Sequence, residues 1–134
     1  MFAYVDEADL SKVGFYNTLD PRAELLEEVG MTTPKVVKEA EKSKTFFSTI
    51  SAEKSDDLAD VDMMVSYSKD GAATLKTIQA DPLWSKMPPV KNRAIAFLAD
   101  DTPVAAVGNP TPLNIPWGLD RYLGELDKAA AKAK

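Results

Sequence analysis

The sequence contains no cysteine and no histidine. Without thiolate or imidazole donors it cannot build the Cys/His sites that hold zinc. Serine–histidine–aspartate and cysteine–histidine nucleophile machinery is excluded for the same reason, and so is a disulfide framework. Only oxygen donors remain for a metal, unless the metal arrives already chelated. The six glycines, at positions 14, 30, 71, 108, 118 and 124, form neither a G-x-G-x-x-G nor a Walker phosphate loop. Positive charge is the scarcer sign: 16 Lys+Arg stand against 21 Asp+Glu, a net charge of −5. That balance argues against a nucleic-acid partner, whose phosphates call for a basic patch. No apolar run approaches the ~20 residues of a membrane span, and no basic-then-apolar leader precedes Phe2. The expectation is either a cytoplasmic protein or a segment of a longer chain.

What is present describes one ordinary domain. The length of 134 residues matches a single unit of the usual ~100–200 residues. An apolar share of 45% and a charged share of 28% are near the globular average, so a packed core is expected.

Apolar runs alternate with helix signals. Residues 2–5 and 45–50 read as strands, and 61–67 and 94–99 as strands covered on both faces. Residues 104–107 are expected to extend the sheet after a turn at Asp100-Asp101. Residues 6–17 read as a long connection. Asp20-Pro21 opens a helix with an N-cap acid and a proline at the first helical position, and Gly30 is its stop. Residues 34–42 form a charged segment with a short helix from Val36. Ser51 caps a short helix through Leu58, and residues 71–79 form another. Residues 81–92 are a proline-rich connection, within which Trp84 packs onto the sheet. The last helix starts between Thr111 and Pro116, and Trp117 is expected to anchor it. Alternation of this kind predicts an α/β fold: a three-layer α/β/α, Rossmann-like unit with a mostly parallel central sheet, as one domain over residues 1–134.

Chemistry is sparse. Asp60-x-Asp62 stands before a strand, whereas ligand-binding acids of α/β sheets follow one; a turn is the better reading. Asp100-Asp101 does follow a strand, but Thr-Pro comes next, and a turn is again favoured. The aromatics are more informative. Phe15 and Tyr16 lie in the long connection, where they are expected to be exposed. Phe46 and Phe47 open the second strand, and Tyr67 ends the third. In a parallel sheet these are ligand-crevice positions.

The order of segments then resembles a known family. Asp81-Pro82-Leu83-Trp84, running on to Met87-Pro88-Pro89-Val90-Lys91, looks like a stretch of the iron–siderophore substrate-binding proteins of ABC transporters. Ser51-Ala52-Glu53 followed by Leu58 and Asp62-Met63-Met64-Val65 is similar to that family's second such unit. The 109–117 segment resembles the opening of its terminal helix, and the Asp20-Pro21 helix ending at Val29-Gly30-Met31 matches a fourth segment.

The resemblance implies the C-terminal lobe of a two-lobe receptor, with the N-terminal lobe and the linking helix absent from these residues. It implies an extracytoplasmic protein, on the membrane only through an anchor in the missing part, that captures a ferric siderophore and docks on ABC permease subunits. It implies no enzymatic activity, no protein-borne metal and no cofactor, the iron being coordinated by the siderophore. Carried over by position, the ligand-facing residues are Phe15, Tyr16, Asn17, Phe46, Phe47, Tyr67 and Asn109. Arg22 and Arg93 are the nearest basic residues. Glu53 corresponds to the acid that meets the permease; by itself, an acid at a helix start is favourable by ~0.3–1 kcal/mol. The alternatives are a vitamin B12-type or other chelate on the same fold, a magnesium-dependent enzyme using Asp100 and Asp101, and a cytoplasmic interaction module.

Overall fold

A computed structural model describes residues 1–133. Its strands make two small sheets. β1 (Ala3–Tyr4), β2 (Lys12–Tyr16) and β3 (Phe47–Ser51) pair antiparallel in that order. β4 (Met64–Ser68) and β5 (Ile95–Ala99) are a parallel pair. One parallel bridge, Phe2 to Val65, joins the two sheets. There the Val65 amide donates to the Met1 carbonyl (2.9 Å), and the Tyr16 amide donates to the Phe2 carbonyl (3.0 Å).

This corrects the expected mostly parallel central sheet. The larger sheet is antiparallel, and only the two-stranded one is parallel. The reason lies in residues 6–17, which are not a plain connection. The Asp6 carboxylate accepts from the Ala8 amide (3.0 Å), and the Asp9 amide donates to the Asp6 carbonyl (3.0 Å). That turn sends β2 straight back along β1. A short return of this kind permits only antiparallel pairing, since a parallel pair needs a crossover of a dozen or more residues.

Helix α1 (Pro21–Glu28) begins at the Asp20 cap and stops at Gly30, whose φ of 93° only glycine adopts readily. α2 (Lys35–Ala40) follows it. The segment after Ser51, Ala52–Leu58, is two short 3₁₀ turns joined at a kink at Lys54, with the Ser51 hydroxyl accepting from the Glu53 amide. α3 (Gly71–Ala80) is capped by Asp70, and α4 (Pro88–Lys91) precedes β5. Residues 104–107 do not extend the sheet. They belong to helix α5 (Pro103–Gly108), where Thr102 accepts from the Ala105 amide and Pro103 fills the first helical position. α6 (Ile115–Ala130) closes the fold. Among the described residues, no helix is long and apolar enough to cross a membrane.

The strands separate two cores, because successive side chains on a strand point to opposite faces. Val13, Phe15, Met64 and Ile95 face Ile78 of α3, Val90 of α4 and Trp84. The Trp84 indole also donates to the Leu10 carbonyl (2.8 Å), so the proline-rich connection is packed down as expected. On the other face, Phe2, Val65 and Leu98 lie under Leu25 and Leu26 of α1, Val107 of α5, and Tyr122 and Leu126 of α6. Each large side chain so buried contributes about 1.5–3 kcal/mol. Trp117 does not anchor α6: it is 63% exposed. Gly118 and Tyr122 seat the helix instead. A Cβ at position 118 would stand 2.7 Å from Val107 Cγ2.

Candidate functional site

Four rings form a row across the end of the sheets, and Tyr4 adds a fifth beyond Phe47, with centroids 6.3 Å apart. Phe47 pairs directly with Tyr16 across β3 and β2, with ring centroids 5.1 Å apart. Tyr16 meets Phe2 edge-on at 5.8 Å, and Phe2 meets Tyr67 of β4 at 5.3 Å. These separations fall in the range where aromatic pairs attract beyond simple burial. Phe2 is fully buried, whereas Tyr16, Phe47 and Tyr67 keep part of their surface. Phe46, next to Phe47 in the chain, is 59% exposed.

One cation meets this row. The Asp20 carboxylate caps α1 by accepting from the Arg22 amide (2.9 Å). The same carboxylate accepts from Arg22 Nη1 with both oxygens, at 3.1 and 2.9 Å. So held, the guanidinium carbon sits 4.7 Å from the centroid of the Tyr16 ring, a cation–π contact. Burial pulls the Arg22 pKa down, but the nearby Tyr67 hydroxyl and the Asp20 carboxylate outweigh it and hold the guanidinium above its ordinary value. For Tyr67, burial raises the phenol pKa against the opposing pull of Arg22. Among the described residues, Arg22 Nε and the Tyr122 hydroxyl are buried without a hydrogen-bond partner. Burial, with Tyr67 adding to it, pushes the Tyr122 phenol far above its usual range.

The residues expected at the site divide by strand face. Tyr16, Phe47 and Tyr67 come together, and Phe46 adjoins them. Phe15 is buried rather than exposed, with 1% of its surface accessible, and it lies in the opposite core. Asn17 is fully buried and holds the loop that carries Phe46. Its side-chain amide donates to the Thr45 carbonyl (2.5 Å), its oxygen accepts from the Leu19 amide (3.0 Å), and its backbone amide donates to the Phe46 carbonyl (3.1 Å). Asn109 is exposed at the end of α5, next to Gly108, where a Cβ would stand 2.9 Å from the Tyr67 hydroxyl.

Of the two candidate arginines, 22 and 93, Arg22 reaches the row. Arg93 lies in the turn before β5, at the strand end opposite Leu98, the partner of Tyr67. Glu53 is exposed beyond the far end of β3 from Phe47. Asp100 and Asp101 are exposed in the turn after β5, with Asp101 at a φ of 61°. Among the described residues, no three acidic side chains gather as metal ligands. Not legible in the sequence were Phe2 as the ring linking Tyr16 to Tyr67 and Asp20 as the holder of Arg22. The Asp-Pro-Arg order carries only a local hint of the second, because an N-cap carboxylate stands beside the side chain two residues on.

No protein-family model and no curated protein matches the chain, but solved structures do. PiaA of Streptococcus pneumoniae TIGR4 in complex with ferrichrome is 39% identical, with a TM-score of 0.92 over 99% of this chain and 43% of that one. A second structure of PiaA from that organism, an iron uptake ABC transporter substrate-binding protein, is 37% identical, with a TM-score of 0.87 over 98% of this chain and 43% of its own. The siderophore periplasmic binding protein from the fuscachelin gene cluster of Thermobifida fusca, at 20% identity and a TM-score of 0.65 over 96% of this chain and 44% of its own, shares the fold. The chain thus spans less than half the length of the proteins it matches.

Proposed function

As the chain is homologous to the iron–siderophore substrate-binding proteins of ABC transporters, we propose that it supplies one wall of a cleft that captures a ferric siderophore outside the cytoplasmic membrane. In this reading it is the C-terminal lobe of a two-lobe receptor, and the other wall belongs to an N-terminal lobe of the same protein. The observation that carries the reading is Arg22 held over Tyr16 beside a partly exposed row of rings. Ring faces cover the apolar flank of a bulky chelate at low conformational cost, and phenol hydroxyls reach its oxygens. The guanidinium offers a further donor edge. Ferrichrome, held by the similar PiaA, is the proposed class of cargo.

Tyr16, Phe46, Phe47, Tyr67 and Arg22 form the wall, with Asn109 at its margin. Phe15 and Asn17 brace it from behind. Iron coordination belongs to the siderophore, and the protein performs no bond-making step. Glu53, remote from the wall, is assigned to docking on the permease. Neither the enzyme nor the cytoplasmic alternative gains support, since the similar solved structures are of iron-uptake substrate-binding proteins; Asp100 and Asp101 lie in an exposed turn.

The test is a titration of the complete gene product with ferrichrome, followed by tryptophan fluorescence. Saturable binding is expected, and no response to ferrichrome or to any other ferric chelate would overturn the reading.

A further inference from the structure

Gly14 stands in the interior of β2, where glycine weakens a strand and marks a close approach by another group. Its backbone does not demand glycine, for its φ lies outside the left-handed region. Space does. A Cβ at position 14 would stand 2.7 Å from Phe47 Cζ, 3.2 Å from Phe47 Cε2 and 3.3 Å from Tyr4 Cβ. The Phe47 ring therefore lies down on bare backbone, tilted away from a parallel stack. It meets Tyr16 at 61° and Tyr4 at 78°. Beside it, Tyr4, Lys12 and Thr49 line a depression of about 200 Å³.

We propose that Gly14 is a specificity-determining position: its missing side chain sets the tilt of Phe47 and hence the shape of the wall a ferric siderophore meets. This rests on the reading of Phe47 as part of that wall. The closest atom is the far tip of a half-buried side chain, so an added methyl group turns the ring; Tyr4 Cβ, at 3.3 Å and fixed to β1, has only to give by a few tenths of an ångström, which leaves the strand pairing in place. Stability and recognition are thereby separable at this position.

The experiment is a ferrichrome titration and a thermal melt of the complete gene product carrying Gly14→Ala, Phe47→Ala or both. Gly14→Ala is expected to keep or raise the melting temperature. It should weaken ferrichrome binding by roughly threefold to tenfold, the range covered by one misplaced aromatic contact. In the Phe47→Ala background, adding Gly14→Ala should change nothing further. If Phe47→Ala weakens binding while Gly14→Ala does not, or if the two losses add, the role of Gly14 is overturned and the wall stands. If Phe47→Ala leaves binding intact, the wall reading falls and this proposal with it. A melting temperature lowered by Gly14→Ala also overturns it, because the strand and not the ring would then be yielding.

Discussion

The guanidinium of Arg22 lies 4.7 Å from the centre of the Tyr16 ring, and the carboxylate that caps its own helix holds it there. One acid thus does two tasks: Asp20 starts α1 and orients the cation that lies over the Tyr16 ring. Arg22→Ala is expected to weaken ferrichrome binding about tenfold, the loss of one charge-assisted contact. Arg22→Lys should recover little, because a lysine ammonium lacks the planar fork and stacks poorly on a ring. Calorimetric titration of the complete gene product checks both, and equal affinity for wild type and Arg22→Ala would remove Arg22 from the site.

Tyr122 carries a hydroxyl buried in the core without a partner. A buried polar group in that position costs ~1–3 kcal/mol. Tyr122→Phe should therefore stabilise the fold, by on the order of 1 kcal/mol in denaturant unfolding. A clear loss of stability would show that the hydroxyl is paired.

The same phenols set an alkaline limit. Burial raises the pKa of Tyr67 and Tyr122, so the folded chain keeps protons that the unfolded chain releases above about pH 10. Below that pH their contribution is constant. Above it the unfolded state gains by ionising, and stability falls as pH rises. Melting curves between about pH 9 and 11 should show this decline, with a shallower slope in Tyr122→Phe. An unchanged slope in that variant would contradict the assignment.

Gly71 opens α3 against β5. A Cβ there would stand 2.6 Å from Phe97 Cβ, an atom fixed to the strand and unable to swing aside. Gly71→Ala should cost ~1–3 kcal/mol, as forced overpacking does. A neutral substitution in thermal unfolding would mean that the helix start shifts freely.

Glu53 is exposed and remote from the ring row. Glu53→Ala in the complete gene product should leave ferrichrome affinity intact and lower iron uptake in cells. Unchanged uptake would end its docking role.

What was legible in the sequence was local. The Asp20-Pro21 cap, the Gly30 stop and the continuous apolar runs of β4 and β5 depend on neighbours in the chain, and each stands where it was expected. Strand β2 escaped notice because Gly14 and the charged Lys12 break its apolar pattern. The reason for that glycine, the Phe47 ring, lies more than thirty residues away. Val104 and Val107 suggest a strand, yet the Thr102-Pro103 start makes them helical. At the site, Tyr16, Phe47 and Tyr67 lie together and Arg22 joins them, a proximity set by strand pairing and by the Asp20 cap rather than by neighbours in the chain. Phe15 is buried rather than exposed because residues 12–16 form a strand, and two adjacent strand residues cannot face the same side.

That alternation in β2 also constrains how the site can diverge. Val13 and Phe15 fill one core while Gly14 and Tyr16 face the other side. One inserted or deleted residue between positions 12 and 16 would exchange the two sets, putting Tyr16 into the closed core and Phe15 out among the rings. Changes to the ring face must therefore arise here by substitution at constant length, whereas the loops beyond the strand ends are free to change length as well.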